Sequence, residues 1–313
     1  MMPLGRVVVC MKHYIGDAVM VSPIFGPLER EADRVVYAVR GPVGDLLDTP
    51  GGNREIWRMP RAQRVADVLA EARRLRAGKF STAFVINQSV RAALTARLAG
   101  IPVRVGHVKE PRGWLLTHRV PYGANEYETA CAFELLRAVG MEDRLTHPCL
   151  EVSAAERERG DALRAGATVA IQPGARYGAK QIPPAVMAEL ARGLVADGPR
   201  LVMVGGPDEA EMAAAFVRDA GLDGGGRSDV VNLVGACGLR ETMAVLAGCQ
   251  LAVGGDTGVM HVAAAVGCRT VTAFGPTPAR KWGHDYAPHR VLVAPDGDMS
   301  RLDAETLRQA CRG

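Results

Sequence analysis

Twice along this chain, short apolar runs of strand length alternate with longer amphipathic segments, and that alternation leaves few folds open. A strand, a helix and a further strand in succession build a parallel sheet with helices on its faces. In the first half, Arg6–Met11, Val35–Val39, Thr82–Ile86 and Val103–Gly106 read as strands. Asp17–Arg30, the basic Arg61–Ala77, Val90–Ala99 and Glu126–Val139 read as helices. In the second half, Thr168–Ile171, Arg200–Val204, Val230–Asn232, Leu251–Val253 and Thr270–Phe274 alternate with helices Pro184–Ala196, Glu209–Ala220 and Arg240–Ala247. The reading is α/β: two Rossmann-like domains facing a central cleft, one over residues 1–153 and one over 154–313. Pro148 and the charged segment Ala154–Leu163 bridge them. At 313 residues, each half has enough chain to bury its own core. Sheets of this kind bind ligands outside the carboxyl ends of their strands, which makes the cleft the expected site.

Composition narrows the function classes. Apolar residues make up 48% and charged residues 23%, the balance of a soluble globular protein. A net charge of +4 argues against an extensive nucleic-acid surface. No apolar run reaches membrane-span length and no signal-peptide pattern opens the chain, so a cytoplasmic protein is expected. The seven cysteines are dispersed without a C-x-x-C pair, as reduced thiols would be. No cluster has metal-ligand spacing, so no cofactor or metal is expected. No G-x-G-x-x-G follows a strand with an acidic residue about twenty positions on, which argues against a nicotinamide dehydrogenase.

The densest chemistry lies at 254–277. A strand ends at Gly254-Gly255, Asp256-Thr257-Gly258 turns, and a small-residue helix runs over Val259–Val266. A second strand then reaches Gly275-Pro276-Thr277. The first amides of a helix have no internal partner and the macrodipole adds positive potential, so this turn is an anion site. The dipole contributes only about 0.3–1 kcal/mol, so a diphosphate needs side chains too; Asp256, Thr257 and His261 are nearest. The competing reading makes Asp256 or Thr257 a simple cap and His261 a core histidine.

This stretch resembles the signature of glycosyltransferase family 9, the heptosyltransferase family of lipopolysaccharide core synthesis. Asp256-Thr257-Gly258-Val259-Met260-His261-Val262-Ala263-Ala264-Ala265-Val266-Gly267 and Phe274-Gly275-Pro276-Thr277 carry the likeness. So do the opening strand with Gly16-Asp17, the 99–107 strand and turn, and Ile171-Gln172-Pro173-Gly174-Ala175-Arg176 with Lys180. The resemblance implies the GT-B arrangement. It implies an acceptor-binding N-terminal domain and a C-terminal domain that binds a nucleotide-sugar donor, most specifically ADP-heptose. The reaction it implies is an inverting, metal-independent transfer to an acceptor hydroxyl. That acceptor is a glycan or, in a relative recruited to secondary metabolism, a small natural product; membrane contact would be peripheral at most. A catalytically silent nucleotide-sugar-binding protein is the alternative.

By the same resemblance Asp17 matches the catalytic aspartate, a carboxylate held by a Gly turn that takes the acceptor's proton; its position also suits an N-cap. His13 and Gly16 are acceptor-side candidates, and His13 is the second choice as base. Gly174, Ala175, Arg176 and Lys180 form the donor loop, with Lys180 on the leaving diphosphate. Glu209 matches the ribose-contacting acid, with Asp208 beside it. Leu239 lines the adenine slot or belongs to the core. Lys281-Trp282-Gly283-His284 departs from the family's usual continuation, and Trp282 reads as a loop anchor. The arginines of Arg61–Ala77 fit an anionic acceptor or membrane surface, or simply a solvated face.

Overall fold

Val7, Val8 and Val9 are wholly buried in succession, the pattern of a β-branched run that is covered on both faces of a parallel sheet. The computed structural model describes residues 4–49, 54–60, 64–108, 111–124, 126–174, 177–222 and 229–312. The chain divides into two units, Met1–Pro148 and Cys149–Gly313.

Unit 1 holds strands β1 (Arg6–Cys10), β2 (Arg34–Val39), β3 (Glu55–Arg58), β4 (Thr82–Val85), β5 (Val103–His107) and β6 (His118–Val120). Its helices are α1 (Ile15–Val21), α2 (Phe25–Glu31), α3 (Val43–Leu47), α4 (Val65–Ala77), α5 (Val90–Leu98) and α6 (Glu128–Arg137). All the strands are parallel, in the order β3-β2-β1-β4-β5-β6. The direction of winding therefore reverses between β1 and β4. Val8, Val36, Phe80, Ala83, Val85 and Ile101 belong to the core on one face of that sheet.

Unit 2 holds β7 (Val169–Gln172), β8 (Leu201–Met203), β9 (Val230–Asn232), β10 (Leu251–Gly255), β11 (Arg269–Phe274) and β12 (Arg290–Val293). Its helices are α7 (Ala154–Arg164), α8 (Pro184–Ala196), α9 (Ala210–Asp219), α10 (Leu239–Ala247), α11 (Gly258–Ala265), α12 (Ala279–Trp282) and α13 (Ala304–Arg312). The order β12-β11-β10-β7-β8-β9 is again all parallel, with its reversal between β7 and β10. Both sheets thus have the same topology.

Several boundaries differ from the sequence reading. Gly16 and Asp17 lie inside α1, whose N-cap is Tyr14, so Asp17 is not a cap. The expected helix Asp17–Arg30 is two helices separated by the 3-10 turn Ser22–Ile24, which Pro23 shapes. β10 ends at Gly255, as the sequence suggests, and the Asp256 amide continues the pairing to the Ala273 carbonyl at 3.0 Å. The bridging segment at 154 is the helix α7, started by a capping box between Ser153 and Glu156. Arg61 lies outside the described residues; α4 begins at Val65. Two of its arginines serve local structure. Arg74 stacks 4.6 Å over the Trp57 ring, and Arg76 donates to the Leu98 carbonyl at 2.6 Å.

Candidate functional site

Each unit gathers its chemistry where its strand order reverses, the place where open parallel sheets leave a crevice. In unit 2 the loop after β7 meets the turn after β10. Lys180, in the 3-10 turn Gly178–Lys180, reaches Asp256 with Nζ 2.6 Å from Oδ2. Thr277, after β11, donates to the same oxygen at 2.7 Å. His261 Nε2 lies 3.4 Å from Asp256 Oδ1. Asp256 is only 5% exposed. Burial works against its ionisation, but hydrogen bonds from His261, Lys180 and Thr277 hold the carboxyl below the usual range. Gly255 permits this approach: a Cβ there would run into the Lys180 carbonyl oxygen.

The head of α11 stays open. Thr257 occupies the N-cap position, yet its side chain makes no cap bond; its hydroxyl turns to Gln172 Oε1 at 3.4 Å. Asp256 is likewise engaged elsewhere, so neither residue acts as a side-chain cap for the helix. The first amides of α11, at Gly258 and Val259, lie at the positive end of the helix dipole. Glu209 accepts from the Gly206 amide at 2.9 Å and from Gln172 Nε2 at 3.1 Å, and it packs against Gly174. It is a helix-start carboxylate beside the loop that follows β7, and Asp208 next to it is exposed. Leu239 opens α10 half-buried. Ala175 and Arg176 lie outside the described residues. Trp282 lies beside the buried Lys281, whose Nζ is 5.6 Å from the ring centroid.

In unit 1, Asp17 stands in the first turn of α1, after β1, with its side chain 28% exposed. Lys12 Nζ lies 3.7 Å from Asp17 Oδ1 and 2.9 Å from Glu128 Oε1. Tyr122 donates to Glu128 Oε2 at 2.7 Å, and the His107 ring packs 5.0 Å from the Tyr122 ring. Burial holds the His107 imidazole down and so favours its neutral form. His13 is exposed and lines a small cavity with Cys10, Asn87 and the Arg40–Glu71 ion pair. Gly16 follows Tyr14 and Ile15 into the helix. Lys12, Glu128, Tyr122 and His284 are components that sequence reasoning did not single out. A lysine at the end of the first buried strand was the available signal for the first of them.

The sequence model of glycosyltransferase family 9 (heptosyltransferase) matches residues 68–306. The chain is 27% identical over 293 residues to lipopolysaccharide heptosyltransferase 2 of Escherichia coli K12, covering 87% of this chain and 83% of the relative. Among solved structures, E. coli ADP-heptose lps heptosyltransferase II shares the fold with a TM-score of 0.80 at 23% identity, over 98% of this chain and 97% of that one. E. coli heptosyltransferase WaaC, solved with ADP-2-deoxy-2-fluoro heptose, shares it with a TM-score of 0.75 at 19% identity, over 98% and 99%. The two sheets are those of the GT-B architecture found in these proteins.

Proposed function

The chain belongs to glycosyltransferase family 9 and is a glycosyltransferase; on that premise we propose that it moves a heptose from ADP-heptose to an acceptor hydroxyl with inversion and without a metal ion. Unit 2 holds the donor. The observation that carries this reading is the meeting of Lys180, Asp256, Thr277 and His261 beside the uncapped head of α11. A diphosphate at those amides places its charge on the helix dipole and within reach of the Lys180 ammonium. That positive charge can stabilise the leaving group in place of a cation. Thr257, Gly258 and Gly174 line the same edge, Glu209 meets the ribose, and Leu239 flanks the adenine.

Unit 1 binds the acceptor. Asp17 takes the hydroxyl proton as the oxygen attacks the anomeric carbon and the C–O bond to the diphosphate breaks. Its carboxylate suits this role because Lys12 stands beside it while Glu128 holds the lysine in place. The acceptor is a lipopolysaccharide, most specifically its inner core; the similarity to lipopolysaccharide heptosyltransferase 2 supports the broader statement.

The test is mass-spectrometric detection of heptose transfer from ADP-heptose to purified inner-core acceptor, with the anomeric configuration of the product read by NMR. Asp17→Asn should lower turnover about 10²–10⁴-fold and leave ADP-glucose affinity unchanged. Retained configuration, an active Asp17→Asn enzyme, or activity lost to a chelator and restored by one divalent ion would each refute a part of the mechanism.

A further inference from the structure

Behind His261 lies a file of ring nitrogens that diphosphate binding does not itself call for. His261 Nδ1 is 3.0 Å from His284 Nε2, and His284 Nδ1 is 3.2 Å from the Tyr286 hydroxyl. The two histidines are 6% and 4% exposed, whereas Tyr286 is half-buried and reaches the surface.

Hydrogen-bond polarity allows this file two arrangements. The ionised Asp256 only accepts, so His261 Nε2 carries a proton in both. With His261 neutral, its Nδ1 accepts from His284 Nε2–H, and His284 Nδ1 accepts from the Tyr286 hydroxyl. With His261 protonated, its Nδ1–H donates to His284 Nε2, and His284 Nδ1–H donates to the Tyr286 oxygen. A single proton separates the two states, and both bonds behind His261 reverse when it arrives.

We propose that this file delivers a proton from the surface to His261 when a nucleoside-diphosphate sugar binds, a coupling that rests on the donor-site reading above. In the unliganded protein Lys180 neutralises Asp256. A diphosphate that draws the lysine toward itself leaves a buried carboxylate with neutral donors, a costly arrangement in a low-dielectric site. Histidine is the side chain whose charge changes nearest neutrality. The Tyr286 oxygen takes a proton from solvent and passes its own to His284 Nδ1. His284 passes its Nε2 proton to His261 Nδ1, and the resulting imidazolium faces Asp256. Only N–H and O–H bonds form and break, and the net gain is one proton.

The surroundings favour this route. Among the described residues, Asp256 and His284 are the titratable groups that contact the His261 ring. Lys180 and Thr277 reach Asp256 on its other oxygen, and His289, bonded to Thr270 at 3.1 Å, packs against Tyr286 and His284. Lys281 is buried on the neighbouring α12 beside Trp282. From α10, Arg240 is turned to Glu156, and Glu241 to Arg159; from β11, Arg269 is turned to the Cys311 carbonyl.

Calorimetry with ADP-glucose in buffers of differing ionisation enthalpy tests the coupling, because the diphosphate diester of this probe does not titrate near neutrality. Near neutral pH the wild-type protein should take up a proton on binding, and His261→Gln should take up none. In His284→Phe the imidazolium loses the acceptor for its Nδ1–H, so proton uptake near neutral pH should be smaller than in the wild type. A buffer-independent heat in the wild type, or uptake that persists in His261→Gln, overturns the relay and leaves the donor site standing. Absence of ADP-glucose binding to the wild type overturns the donor site, and the relay with it. Nitrogen-15 shifts of the unliganded protein give a readout that needs no ligand. The neutral Nε2–H tautomer of His261 is expected there, and the Nδ1–H tautomer refutes the file.

Discussion

Lys12 is 8% exposed and pairs with Glu128, which is 2% exposed. Burying two charges is repaid only while both are present; removing one strands the other. Lys12→Met should therefore destabilise the protein by about 3–5 kcal/mol, read as a lower urea midpoint. Lys12→Met with Glu128→Leu, which replaces the pair by apolar groups, should recover most of that loss while activity stays low. A single variant as stable as wild type would show that the pair carries no such weight. At this scale the sequence was legible where a glycine stands close to a polar residue in the chain. Lys180, Asp256 and His261, which the structure brings together, each lie within three positions of such a glycine. Glu128 was not legible, because its partner is 116 positions away and nothing local marks a buried glutamate on a helix. The same holds for His284, whose role appears only once the fold brings it to His261.

Helix α7 shows how one element is held by a few atoms. Of its eleven residues only Gly160 is buried, and a Cβ there would strike the Ala244 backbone of α10, so the two helices meet through the glycine. At its N-terminus, Glu156 accepts from the Ser153 amide at 2.9 Å and from Arg240 Nη2 of α10 at 2.6 Å. The Arg240 hydrogen bond, with those of Ser153, outweighs burial and lowers the Glu156 carboxyl from 4.5 to about 2. A depressed folded-state pKa means stability that is present above the unfolded value and lost as pH falls through the folded one. Thermal melts should therefore drop between about pH 4.5 and 2, and Arg240→Ala should flatten that dependence; an unchanged acid limb in the variant would count against it. Elements such as β1, β4, β7 and β10 were legible because parallel strands buried on both faces read as continuous apolar runs. β3, β6 and β12 were missed. Each has three or four residues and carries charged or polar side chains, so neither length nor periodicity distinguishes it from a loop.

On the scale of the whole chain, each unit carries a six-stranded sheet and a core of its own, and the two sheets repeat one winding order without any repeat in the sequence. A unit with its own core is able to fold by itself. Residues 149–313 produced alone should unfold cooperatively by circular dichroism and bind ADP-glucose; a non-cooperative melt would show that unit 2 needs its neighbour. That each half would be a parallel sheet was legible from the alternation of strands and helices; the order of the strands within it was not, because pairing between strands distant in sequence leaves no local mark. The outermost strands carry a further consequence. β3 and β6 border one sheet, and β9 and β12 the other, none longer than four residues. Glu55 on β3 is gripped by Arg34 of β2, with Arg34 Nε 2.6 Å from Oε2, and β6 and β12 carry arginines. Margins this brief, three of the four bearing charge, give a stray chain few amides to pair with. Growth into fibrils through the sheet edges should therefore be slow, which thioflavin fluorescence of a concentrated solution would check.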